Sequence, residues 1–123
     1  MSYLTPRKRA EALGSAKDGT WHHWNTIVSS VALLVLVPLF VFTIGPILGR
    51  PYPEAVASLS RPFVAIVVGL TLLVGLLHFR QGVQVVLEDY AKGATRKGLV
   101  IAAVCLTYAL LAIGLLAVAR LSF

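Results

Sequence analysis

Residues 62–77 read PFVAIVVGLTLLVGLL, and the next residue is His78. The run carries no charged side chain, and it continues as FRQGVQVVLE through Glu88. An α-helix rises 1.5 Å per residue, so about 20 apolar residues cross the ~30 Å hydrocarbon core of a bilayer. Inside lipid a backbone must satisfy its own polar groups, which a helix does within one segment. The stretch 62–88 therefore predicts a membrane-spanning helix. Pro62 suits the first turn, where its missing N–H costs nothing. The stretch is long for one crossing, and Arg80, Gln81, Gln84 and Glu88 predict that its last turns leave the lipid core.

Two further stretches have the same character. Residues 26–45 contain no charge and one proline, Pro38. Proline is tolerated in a membrane helix but usually kinks it. Gly45-Pro46 and the stretch Gly49-Arg50-Pro51-Tyr52-Pro53 predict that this helix ends in a loop. Residues 98–119 form the third apolar run, closed by Arg120. Residues 91–97 predict a short basic loop around Gly93. Residues 1–20 form a polar arm, and Trp21 and Trp24 sit where indoles favour the lipid–water boundary. No cleaved signal peptide is predicted, because the arm is polar and the first apolar run is too long.

Composition agrees. Of 123 residues, 58% are hydrophobic and 13% charged, against about 25% charged in soluble domains. Mean hydropathy is +0.84. A chain this short folds as one domain and could not bury so much apolar surface from water. The expected fold is therefore an all-α integral membrane protein with three transmembrane helices. The net charge of +6 flanks the apolar runs, which suits topology and anionic headgroups, not nucleic acid. The lone Cys105 allows no internal disulfide and no cysteine metal cluster.

Seven basic residues, Arg7, Lys8, Arg9, Lys17, Lys92, Arg96 and Lys97, fall in the arm and the second loop. Three, Arg50, Arg61 and Arg120, fall in the first loop and the tail. The positive-inside bias places the N-terminus on the cytoplasmic (or matrix) side and the C-terminus outside. Three spans do not divide into an inverted repeat, which weighs against a secondary transporter.

His78 is the candidate functional residue. An ionisable group in a membrane is costly and marks function, and neutral imidazole is a common metal and haem ligand. A helix–helix hydrogen bond is the other reading. Gly82 is one turn on, on the same side of the helix. It leaves room for a flat macrocycle or for close helix packing. Asp89 is eleven residues on, 1100° of rotation, which is about 20° from whole turns. A continuous helix would carry one face from mid-membrane at His78 to the boundary at Asp89-Tyr90. The pair could also be an ordinary helix end with a belt tyrosine. Arg80 points to nearly the opposite side, where it can snorkel to the boundary or pair with a partner subunit. His22 and His23 lie at the interface. Cys105 and Tyr108 read as packing residues.

The stretch His78-Phe79-Arg80-Gln81-Gly82-Val83-Gln84-Val85-Val86-Leu87-Glu88-Asp89-Tyr90 resembles the hydrophobic membrane anchor (small cytochrome b) subunit of succinate dehydrogenase. Members carry a haem-ligand histidine, a glycine four residues on and an Asp-Tyr pair eleven and twelve residues on. The resemblance includes Gly19-Thr20-Trp21-His22-His23-Trp24 before the first span, and it is greatest to alphaproteobacterial members. It implies that His78 is one axial ligand of haem b, held on the metal side by its iron, with Gly82 making room for the ring. It implies that Tyr90, with Asp89 beside it, binds ubiquinone. The second axial ligand would come from the large cytochrome b anchor subunit, which shares the helical bundle, since this chain has no second mid-membrane histidine. The iron–sulfur subunit would complete the quinone pocket, and flavin and iron–sulfur clusters would reside only in partner subunits. The whole would be a heterotetramer, with trimerisation left open, in the bacterial inner membrane with a periplasmic C-terminus. It would pass electrons from succinate to ubiquinone, joining the tricarboxylic acid cycle to aerobic electron transport.

In one place the chain departs from the family. Many members have an arginine near a haem propionate shortly after Trp24, where this chain has Asn25-Thr26-Ile27-Val28. His22 or His23, or the partner, is left to make that contact. Two alternatives remain at this point, a cofactor-free structural or assembly membrane protein and the anchor of a fumarate reductase.

Overall fold

The computed structural model describes residues 3, 5–11 and 18–123. Residues 1, 2, 4 and 12–17 of the polar arm, Lys17 among them, lie outside the described residues. Within the arm, Pro6–Glu11 forms a short helix, α1. Three long helices follow, α2 (Asp18–Ile44), α4 (Pro62–Tyr90) and α5 (Gly93–Ser122). Each is long and apolar enough to cross a membrane. At 1.5 Å per residue they are about 40 to 45 Å long, so their ends stand beyond a ~30 Å hydrocarbon core. The helices outrun their apolar segments because the flanking polar residues can keep bonding along the backbone in water. α2 continues through Pro38.

The first loop has more structure than its prolines predict. A 3-10 turn, Gly45–Ile47, caps α2, and Gly49 makes the reversal at φ 82°. A second helix, α3 (Tyr52–Leu59), then begins after extended Pro51. Pro53 falls in its first turn, where proline is compatible with a helix. Its buried Ser58 accepts a 3.4 Å hydrogen bond from Arg50. The second loop has less structure to span than expected. Only Ala91 and Lys92 separate α4 from α5, and Gly93 takes φ 64° to turn the chain, a conformation that costs other residues about 1–2 kcal/mol.

α4 is the middle helix and packs on both α2 and α5, while no Cα of α2 comes within 8 Å of α5 among the described residues. The spans thus stand in a row, not in a closed bundle. Val64 and Val67 of α4 and Thr107 of α5 are buried in the seams, and Thr107 satisfies its hydroxyl on the Ala103 carbonyl at 2.8 Å. Gly114 lets the Leu72 side chain lie where a Cβ would sit, the closest approach of α4 and α5 at a glycine. Apolar side chains such as Leu34, Phe42, Ile66, Ile101 and Leu116 point outward. In water that exposure would be prohibitive. In a membrane it is solvated by lipid or by neighbouring helices.

Candidate functional site

α4 is unbroken from Pro62 to Tyr90, so His78, Gly82 and Asp89 lie within about 40° of one another around its axis. Tyr90 is rotated about 120° from His78 and lies about 18 Å further along the helix. The structure therefore brings His78, Gly82 and Asp89 onto one face, with Tyr90 beside its far end.

His78 is half-buried against α2. Its Nδ1 lies 2.8 Å from Ser29 Oγ, and that oxygen lies 3.0 Å from the Thr26 carbonyl. One turn toward the N-terminal end of α2, Thr26 Oγ1 donates to the His22 carbonyl at 2.9 Å and also lies 3.4 Å from Gln81 Oε1. A hydroxyl has one proton, which serves the nearer carbonyl. A polar seam thus crosses the α2–α4 interface inside an otherwise apolar pair of helices.

Gly82 is exposed, and among the described residues no atom outside its own turns of helix backbone lies within 4 Å of the position a Cβ would take. The helix side below His78 is therefore open within this chain. The helix–helix packing reading of Gly82 finds no partner helix among the described residues. An imidazole fixed at one nitrogen beside an open glycine fits a flat, iron-centred ring laid against α4. Asp89 and Tyr90 are exposed, Tyr90 by 86%. A recess of about 400 Å³ opens at that end, but Glu88, Arg96, Lys97, Val100 and Ile101 line it. Among the described residues the Tyr90 side chain is left open, so an enclosed pocket there would need walls from elsewhere.

His22 is half-buried and His23 exposed, both in the first turns of α2. Seven residues separate His22 from Ser29, so His22 sits about 10 Å nearer the N-terminal end of α2 than the Ser29–His78 contact. Among the described residues no three His, Cys, Asp or Glu side chains gather as a metal site.

Two contacts are not legible from residue type. Arg80 does not snorkel outward. Its Nη1 donates to the Tyr108 hydroxyl at 3.2 Å, and its guanidinium carbon lies 5.6 Å from the Tyr108 ring centroid. Helical side chains lean toward the N-terminus of their helix, which in α4 is the opposite end from the basic loop. Tyr108 is therefore a polar partner of a charged residue and not only packing. The second is Ser29. Its signal was weak, since Ser30 beside it merely bonds back to the Thr26 carbonyl at 2.7 Å, as hydroxyls in helices often do.

A row of three helices long and apolar enough to span a bilayer, with a histidine within the middle one, defines an integral membrane protein of three spans. The chain belongs to the succinate dehydrogenase/fumarate reductase transmembrane subunit family, whose model matches residues 1–117. It is 43% identical over 121 residues to a succinate dehydrogenase hydrophobic membrane anchor subunit of Paracoccus denitrificans, covering 98% of this chain and 94% of that one. That relative bears out the expected likeness to alphaproteobacterial anchors. No solved structure matches the chain.

Proposed function

We propose that this chain is the small anchor of a succinate:ubiquinone oxidoreductase, contributing one haem b ligand and part of the quinone site. Family membership and the 43% identical relative support the anchor role. The observation that supports the haem reading is His78 itself, half-buried at mid-span with Nδ1 held 2.8 Å from Ser29 beside the open Gly82. With Nδ1 engaged, Nε2 is the nitrogen left for an axial bond. Bound haem would supply a one-electron carrier in the membrane. The large cytochrome b subunit would provide the second axial ligand and cover the open side of α4.

At the other end of the face, the Tyr90 phenol donates a hydrogen bond to a ubiquinone carbonyl oxygen, with the Asp89 carboxylate beside it. Quinone reduction consumes two electrons and two protons, and an exposed position lets protons arrive from water. The iron–sulfur subunit walls the pocket that this chain leaves open, and the flavoprotein docks behind it. This places the basic loop on the cytoplasmic side and the C-terminus in the periplasm. His22 or His23 contacts a haem propionate in place of the absent arginine. Residues 1–123 act as one membrane domain within a heterotetramer. Fumarate reduction remains the variant that the family's description includes, and the potential of the quinone decides the direction.

The experiment is purification through a tag on this chain in mild detergent. The expected result is co-purification of flavoprotein, iron–sulfur and large cytochrome subunits, with a low-spin haem b band in the reduced-minus-oxidised spectrum. A colourless chain purifying alone would overturn the proposal in favour of a cofactor-free membrane protein.

A further inference from the structure

The Ser29–His78 contact lies near the start of the first apolar run, residues 26–45, and joins the proposed ligand to a different span. A serine oxygen carries one proton and two lone pairs. The Thr26 carbonyl, which also accepts from Ser30 Oγ at 2.7 Å, lies 3.0 Å from Ser29 Oγ and can take that proton, while the direction of the Ser29–His78 contact follows the imidazole tautomer. A neutral imidazole whose Nε2 binds iron carries its hydrogen on Nδ1, and Ser29 Oγ, 2.8 Å away, is then placed to accept it. The chain of donors runs from His78 Nδ1–H to Ser29 Oγ–H to the Thr26 carbonyl. A neutral imidazole protonated at Nδ1 has its bare lone pair on Nε2. A buried N–H without an acceptor is costly in a membrane, so the serine and the tautomer support each other.

We propose that Ser29 is a positioning residue for the haem-ligand role of His78. It fixes the ring orientation, holds the tautomer that leaves Nε2 free, and raises the electron donation of the imidazole by accepting its Nδ1 hydrogen. Outer partners of this kind orient metal-bound histidines and tune the metal. The inference rests on the haem reading above and adds to it a residue that the family motif of histidine, glycine, aspartate and tyrosine does not contain. Its position in α2 also means that docking of α2 on α4 is part of how the ligand is prepared.

The test uses the intact complex carrying Ser29→Ala, Ser29→Thr or His78→Ala. Readouts are haem content, the electron paramagnetic resonance g-values of the ferric haem, and its midpoint potential. Loss of the acceptor weakens donation to ferric iron more than to ferrous iron, so Ser29→Ala should move the potential to more positive values. A tenfold loss of ferric preference corresponds to about 59 mV in a one-electron couple. Ser29→Thr keeps a hydroxyl that can bond back to the Thr26 carbonyl and should stay at the wild-type potential and g-values. If Ser29→Ala abolishes haem binding while Ser29→Thr retains it, the hydroxyl is required and the proposal stands. If Ser29→Ala matches wild type in potential and g-values, or Ser29→Thr is as altered as Ser29→Ala, the proposal is overturned. His78→Ala tests the haem reading separately: an unchanged low-spin spectrum at the wild-type haem content would overturn both.

Discussion

Gly82→Leu separates what this chain needs for itself from what it needs for a cofactor. Within the chain, a Cβ at residue 82 meets nothing within 4 Å. Glycine in a helix interior is about 0.8–1 kcal/mol worse than alanine, and leucine is close to alanine. The substitution should therefore leave insertion and the α2–α4–α5 row unharmed, and even stiffen α4. A flat ring lying against the backbone at van der Waals distance has no space for four extra carbons. Overpacking of that kind costs about 1–3 kcal/mol, which is about 5- to 140-fold weaker retention at 1.4 kcal/mol per decade. The assay pairs an immunoblot of the chain in membranes with the haem-to-protein ratio of the purified complex. The expected outcome is a normal amount of chain and of co-purifying large cytochrome subunit, with haem reduced at least severalfold. Haem at the wild-type ratio would refute the assignment of this face. Loss of the chain from the membrane would refute the claim that the face is open.

Two further outcomes follow from the same geometry. Tyr90→Phe keeps the ring and removes the O–H, a hydrogen bond of about 0.5–1.5 kcal/mol, so kcat/KM for ubiquinone should fall about 2- to 12-fold. Succinate oxidation with a soluble dye acceptor should not change, and equal losses in both assays would argue against a quinone contact. Tyr108→Phe removes the acceptor of the Arg80 bond while keeping the ring under the guanidinium. Interhelical hydrogen bonds in membranes average about 0.6 and reach about 1.7 kcal/mol, so the complex should unfold at a lower fraction of denaturing detergent, and an unchanged midpoint would count against the contact.

The three spans were legible because lipid requires long uncharged helical runs, and few other structures tolerate residues 26–45, 62–88 and 98–119. The face from His78 to Asp89 was legible because it depends only on helical rotation within one element. α3 was not, because Pro51 and Pro53 read equally as a loop or as the first turn of a helix. The partners of His78 and Arg80 were not legible either. Ser29 is 49 residues from His78 and Tyr108 is 28 from Arg80, and such pairs depend on how deep each helix sits against the next. Apolar patterning says that helices pack, but leaves that register open. The open side of α4 also has no signature in one chain, since the same glycine serves a cofactor or a neighbouring helix.

The central claim is that His78 holds haem iron, and the most direct measurement is the reduced-minus-oxidised spectrum of the purified complex with His78→Ala. The account predicts that the low-spin haem b signal disappears or changes to that of a single-histidine haem, while the flavoprotein and iron–sulfur subunits remain attached. An unchanged low-spin spectrum at the wild-type haem-to-protein ratio would contradict it.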